Sequence, residues 1–191
     1  AQLRHPQGED GNKVAGNMDD RNSPVILAAY DALAPGDGDR ILEIGPGAAG
    51  HLPNLLSRAD NLHYTGLDAS RDMVLLARER SLGETRAAFI HGELTQAPLA
   101  PTSMDRIVAV NLVYFWQPLA PALQALFLLL RPGGTLVLGL RDHNSMASLP
   151  VFQHGFSTYH GPELQQALEQ AGFTDATLST FAEDSVDVLG D

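Results

Sequence analysis

Apolar residues recur along this chain in two rhythms, short unbroken runs and stretches at helical spacing, and the two alternate from residue 23 onward. Val25, Ile26, Ala29 and Leu33 fall on one helical face behind Ser23, a capping residue, and Pro24, a favoured first helical residue. Pro35-Gly36-Asp37-Gly38 ends that helix. The pattern predicts strands over residues 40–45, 62–67, 87–91, 106–110 and 135–140. Helices are expected between them, over about 49–58, 70–82 and 118–130, with another at 162–171. Residues 95–103 and 141–160 read as loops, and Arg131-Pro132-Gly133-Gly134 as a tight turn. Two last strands are expected near 174–180 and 185–189, and their short connection forces an antiparallel hairpin. Strands alternating with helices predict a doubly wound α/β fold with helices on both faces. Its sheet should have seven strands, mostly parallel, with an antiparallel strand at the C-terminal end. Residues 1–22 are polar and glycine-rich and read as an arm or lid with one short helix near 13–18. Residues 23–191 read as a single domain.

Composition narrows the function classes. With 191 residues, 44% of them hydrophobic, there is material for one sizeable core. The net charge is −11 and Lys13 is the only lysine, so the surface repels phosphate backbones and no nucleic-acid partner is expected. The absence of cysteine excludes disulfides, thiolate catalysis and cysteine-based zinc sites. No apolar run is long enough for a membrane span and no signal-type segment is visible, so a cytoplasmic protein is expected.

The run Ile41-Leu42-Glu43-Ile44-Gly45-Pro46-Gly47-Ala48-Ala49-Gly50 carries the most chemistry. It reads as a buried strand, a glycine turn and the opening of a helix, with the backbone free to approach a ligand closely. Gly45, Gly47 and Gly50 fit G-x-G-x-x-G, and Asp68 lies where a ribose-binding acid is expected. That spacing alone also fits a nicotinamide dinucleotide, or a tight turn with no ligand. Three features argue against the dinucleotide. Glu43 would sit beneath the turn, where its charge opposes a pyrophosphate. No Tyr-x-x-x-Lys pair exists, and there is no separate substrate domain.

Further segments extend the pattern in order. They are Tyr64-Thr65-Gly66-Leu67-Asp68-Ala69-Ser70 with Met73, Phe89-Ile90-His91-Gly92-Glu93, Asp105 to Asn111 with Tyr114-Phe115-Trp116, Leu130 to Leu136, and Ala171-Gly172-Phe173. Together with Ile41 to Gly47 this ordered set resembles the class I S-adenosylmethionine-dependent methyltransferases of the small-molecule type, including the ubiquinone and menaquinone biosynthesis enzymes. The resemblance covers nearly the whole chain and implies a Rossmann-like fold with S-adenosyl-L-methionine as cofactor. It implies that Asp68 accepts both ribose hydroxyls, that Ala69 and Met73 pack near the adenine, and that Glu93, flanked by Gly92 and Leu94, reaches the adenine amino group. Gly45, Pro46 and Gly47 would lie under the methionine part, with Glu43 beneath them. Asn111 would face the sulfonium end. Each has a plainer reading as well: Asp68 as a helix cap, Met73 as core filler, Glu93 as a solvated acid, Asn111 as a turn residue. Ala49 departs from the family, which usually has glycine there.

The acceptor side is expected from Met18 in the arm, His51, Tyr114, Trp116, Arg141, Phe156 and Tyr159. Aromatic side chains suit a flat or apolar small molecule, and Arg141 an anionic group. His143, His154 and His160 lie in the same region, as does Phe152. Methyl transfer from a sulfonium needs alignment more than acid–base chemistry, so no catalytic residue is assigned. Base methylation of the Asn/Asp-Pro-Pro-Tyr/Phe type does not fit Asn111-Leu112-Val113-Tyr114. Asn111 also stands where a catechol-type metal site needs an acid, despite Asp142 and Asn144, so no metal is expected. Two other classes stay open on sequence: a non-catalytic binding module, to which Ala49 points, and a nicotinamide-dependent oxidoreductase resting on the three glycines.

Overall fold

Helix α1 (22–33) turns Val25, Ala29 and Leu33 inward at four-residue spacing. It stops where Ala34 enters the left-handed region and Pro35 follows. The computed structural model describes residues 22–141 and 158–180. Five strands follow the expected rhythm: β1 (Arg40–Ile44), β2 (His63–Asp68), β3 (Ala87–His91), β4 (Met104–Val110) and β5 (Leu130–Gly139). Helices α2 (Leu52–Leu56), α3 (Arg71–Arg80), α4 (Leu119–Leu129) and α5 (Gly161–Gln170) complete the described elements.

The strand order is β3-β2-β1-β4-β5 and every pairing is parallel. β1 is central, with four consecutive buried residues, as a strand covered on both faces requires. One face of the sheet carries Ile41, Tyr64, Phe89 and Val108 and packs against residues of α1, α2 and α3. The other carries Leu42, Ile44, Leu67, Ile107 and Ala109 and packs against α4, with Ala167 and Leu168 of α5 beside it. The chain leaves β1 toward β2 on one side and returns through β4 on the other. The carboxyl ends of β1 and β4 therefore flank the crevice where ligands of open α/β sheets bind.

Three expectations change. The described sheet has five parallel strands rather than seven with an antiparallel end strand: 174–180 is not a strand, and 185–189 lies outside the described residues. The turn at 131–134 belongs to β5, as a bulge between the pairs Met104–Leu130 and Arg106–Thr135. A Cβ at Gly134 would lie 2.8 Å from the Asp105 carbonyl oxygen, so only glycine lets the bulge close on β4. The helix expected over 49–58 shrinks to α2, because Ala49 adopts φ 54° and His51 occupies the cap position.

Two arginines tie the layers. Arg58 donates to the Asn54 carbonyl at 2.6 Å and the Leu27 carbonyl at 3.2 Å, pairs with Asp31, and lies 5.5 Å over the Tyr30 ring. It thereby pins α1 to α2. At the opposite end of the sheet, buried Asp105 accepts the Arg40 N–H at 2.8 Å and pairs with Arg131.

Candidate cofactor and acceptor site

The glycine turn leaves β1 with two left-handed residues, Gly45 at φ 64° and Gly47 at φ 57°. They need glycine for different reasons. A Cβ at Gly45 would come within 2.6 Å of Leu112, whereas one at Gly47 would meet nothing within 4 Å. Gly45 is thus a packing requirement, and Gly47 borders open space at the crevice. The Gly45 N–H extends the sheet ladder to the Leu67 carbonyl at 2.7 Å, and Pro46 accepts from the Ala49 N–H at 2.9 Å.

Asp68 ends β2 beside this turn. Its Oδ2 accepts the Gly47 N–H at 3.0 Å and its Oδ1 the Ser70 N–H at 2.8 Å. The carboxylate is 9% exposed and held in one orientation by two backbone donors from different loops. The helix-cap role falls instead to Ser70, whose hydroxyl accepts the Met73 N–H.

Glu43 is buried under the turn. Tyr30 donates to it from α1 at 2.9 Å, and Tyr64 from β2 at 2.7 Å. Parallel register places Tyr64 opposite Ile41, so it reaches Glu43 diagonally on the same face. Burial and the Glu43 charge raise the Tyr64 hydroxyl well above the ordinary 10.0, keeping it a donor. Sequence reasoning singled out the glutamate and missed both tyrosines. Their signal was the phase of the apolar pattern, which turns Tyr30 inward with Ala29 and Leu33.

Around β3, the Gly92 N–H donates to the Asp68 carbonyl at 2.9 Å, and His91 Nε2 lies 3.2 Å from the Ala69 carbonyl. Glu93 is exposed and precedes a 3-10 turn; Leu94 is buried. Met73 is 2% exposed and packs on Ala48, so it supports the loop from within. Ala49 packs into the core beside Leu52.

At the ends of β4 and β5 four polar side chains converge. Asn111, left-handed at φ 55°, donates from Nδ2 to Asn22 Oδ1 at 3.0 Å. The same oxygen accepts Arg141 Nη1 at 3.3 Å. The Tyr114 hydroxyl lies 3.3 Å from Asn111 Oδ1 and accepts the Arg141 N–H at 2.5 Å. Nearby, the Tyr159 hydroxyl donates to the Trp116 carbonyl at 3.4 Å. His51 is half-buried at the α2 cap, and His160 caps α5. Met18, Phe156, His143, His154, Phe152, Asp142, Asn144 and the short helix near 13–18 lie outside the described residues. Among the described residues no three His, Cys, Asp or Glu side chains group as metal ligands, and no helix is long and apolar enough to cross a membrane.

Comparison with known proteins agrees with this geometry. Residues 41–134 match the methyltransferase domain family. The uncharacterized methyltransferase YdaC of Bacillus subtilis is 28% identical over 72% of this chain and 73% of its own. The demethylmenaquinone methyltransferase of Clavibacter sepedonicus is also 28% identical, over 70% of this chain, which spans 52% of that protein. Among solved structures, a Haloferax volcanii methyltransferase in complex with the Trm112 methyltransferase activator superposes with a TM-score of 0.83 at 21% identity, covering 93% of this chain and 80% of that one. An S-adenosylmethionine-dependent methyltransferase of Aquifex aeolicus superposes with a TM-score of 0.67 at 20% identity, over 84% and 87% of the two chains. Residues 41–134 of this chain thus carry a methyltransferase domain, on the fold of the S-adenosylmethionine-dependent methyltransferases.

Proposed function

We propose that this protein transfers the methyl group of S-adenosyl-L-methionine to a small-molecule acceptor seated beyond the ends of β4 and β5. The observation that carries the reading is the Asp68 carboxylate, oriented by the Gly47 and Ser70 N–H groups at the tip of β2. Two fixed acceptor oxygens match a ribose diol, and Gly47 leaves the adjoining space unfilled. Buried Glu43 lies beneath the glycine turn, which suits a cation better than a diphosphate.

The cofactor supplies a methyl group on a good sulfonium leaving group; alignment is what remains for the protein. Holding donor and acceptor together lowers such barriers by about 7–11 kcal/mol in favourable cases. In this reading Asp68 grips the ribose, Ala69 and the Gly92-Glu93-Leu94 segment border the adenine, and Gly45 to Gly47 carry the methionine part. Met73 backs the adenine side through Ala48. Glu43 acts one layer below, fixing β1 against α1 and β2. Tyr114, Trp116, Arg141 and Tyr159 border the acceptor, with His51 on the cofactor side and Met18 and Phe156 completing the pocket. The 1–22 arm closes over it. Relatives include quinone and phosphoethanolamine methyltransferases, in keeping with a small acceptor.

Calorimetry with S-adenosylhomocysteine and with NADH tests the reading. Saturable heat with the first and none with the second is expected; the reverse would overturn it. Protease protection of the arm on adding S-adenosylhomocysteine checks closure.

A further inference from the structure

The three residues of the turn after β1 are each set by a different neighbour. Pro46 lies across β2, where a Cβ at Gly66 would come within 2.9 Å of its Cγ. Gly47 is held by its N–H on Asp68 Oδ2 at 3.0 Å. Gly45 is fixed from two sides. Its N–H reaches the Leu67 carbonyl at 2.7 Å, and Leu112, from the segment after β4, fills the space a side chain would need. A Cβ at Gly45 would lie 2.6 Å from Leu112 Cδ1, 2.9 Å from Cδ2 and 3.1 Å from Cγ. Both methyl groups and the carbon that bears them stand in the way, so rotating the methyl groups does not clear it. Leu112 has little room to yield. It follows left-handed Asn111, whose N–H is bonded to the Gly139 carbonyl at 2.8 Å. Its own carbonyl accepts the Phe115 N–H at 2.9 Å and so opens the 3-10 turn Val113–Phe115. Its side chain packs against the α4-side core and stays partly exposed at the carboxyl end of β4. In a close-packed contact of this kind Leu112 is a stop: it limits how far Gly45 can move toward β4 and so sets the course of the backbone on to Gly47.

We propose that Leu112 is a positioning residue for the amino-acid half of the cofactor, the methionine part carried by Gly45 to Gly47. The inference rests on the S-adenosylmethionine reading of the turn and divides the labour within it. Asp68 serves the ribose by hydrogen bonding, and Leu112 serves the methionine part by shape, through Gly45. It also joins the two halves of the site. Leu112 lies between Asn111 and Tyr114 of the acceptor end, which are 3.3 Å apart, while its methyl groups rest on the cofactor turn.

Two ligands separate the halves. Adenosine has the base and the ribose diol; S-adenosylhomocysteine adds the amino-acid part. Both are titrated by calorimetry into the full chain and its variants. Leu112→Ala should weaken S-adenosylhomocysteine about tenfold and adenosine by less than about twofold, because a displaced turn costs only the ligand that lies on it. Leu112→Met refills the volume and should recover most of that loss. Gly45→Ala should show the same split, since the new methyl group pushes the turn off Leu112. Truncating Leu112 gives that methyl group room. The double variant Gly45→Ala/Leu112→Ala should therefore bind S-adenosylhomocysteine several-fold tighter than Gly45→Ala alone, yet less tightly than the unmodified chain, because the left-handed strain at residue 45 remains. Asp68→Asn, by contrast, should weaken both ligands. Circular dichroism shows which variants are folded; Leu112→Val serves if Leu112→Ala is not, with a smaller loss in the same direction. Equal loss of the two ligands in Leu112→Ala, an unchanged S-adenosylhomocysteine affinity in it, or losses that simply add in the double variant would each overturn the proposal. An unmodified chain that binds neither ligand would overturn the cofactor reading and this inference together, so the two failures are told apart.

Discussion

Single residues at this site serve two purposes at once, and Asp68 shows it best. Its carboxylate orders the Gly47 and Ser70 N–H groups before any ligand arrives. Asp68→Ala should therefore lower stability by about 1–3 kcal/mol, the cost of stranding buried donors, and also weaken S-adenosylhomocysteine binding by about tenfold or more. Asp68→Asn keeps one acceptor oxygen, so chemical denaturation should show a smaller loss while calorimetry still shows weakened binding. Ala49 carries opposite terms. Glycine would relieve about 1 kcal/mol of left-handed strain but would remove a buried methyl worth about 0.8 kcal/mol. Ala49→Gly should hence change the denaturation free energy by less than about 1 kcal/mol and leave cofactor affinity unaltered. Tyr64 gives a pH dependence with a defined sign. Its folded pKa is raised above 10.0, so its contribution is intact below pH 10 and is lost as pH climbs further, where the unfolded chain releases the proton first. The chain should lose up to about 1.4 kcal/mol more per pH unit above 10 than Tyr64→Phe does. Denaturation curves across that range measure the difference. At neutral pH the same variant should be weaker by about 1.5–3 kcal/mol, since Glu43 loses a donor.

Among the elements, α1 deserves to be treated as part of the site rather than as packing. Arg58 holds it to α2 through two carbonyls, a carboxylate and an aromatic face. Arg58→Ala should cost about 1–2 kcal/mol, with amide exchange in α1 rising more than in the central strands. The Asp31 partner is largely exposed, so Asp31→Ala should cost under about 1 kcal/mol. The strands were legible because apolar runs such as Ile41-Leu42 and Ile107-Val108 need no partner information to be recognised. The position of Asp68 beside the glycine turn was legible because it ends the apolar run that becomes the neighbouring strand β2. The tyrosine clamp on Glu43 was not, since it depends on register between β1 and β2 and on the rotation of α1. Nor was the bulge in β5, where Arg131 to Gly134 carry every local signal of a turn. Only the approach of Gly134 to the Asp105 backbone shows that the residues stay with β4. The hub at Asn22 joins residues 89 and 119 positions apart, beyond the reach of any local pattern.

For the molecule as a whole, a ligand that bridges the turn after β1 and the tips of β2 and β3 ties the central strands together. At a hundredfold excess over its dissociation constant, S-adenosylhomocysteine should stabilise the fold by about 2.7 kcal/mol, read as a rise in Tm that NADH does not produce. The −11 charge predicts that moderate salt adds stability by damping self-repulsion. The order β3-β2-β1-β4-β5 carries a last implication, for synthesis on the ribosome. β1 is made early, but its second neighbour, β4, begins only at Met104. Until that stretch has left the exit tunnel, one edge of the central strand stands bare. In that window the bare edge is open to pairing with a neighbouring chain, and the arrival of β4 closes it.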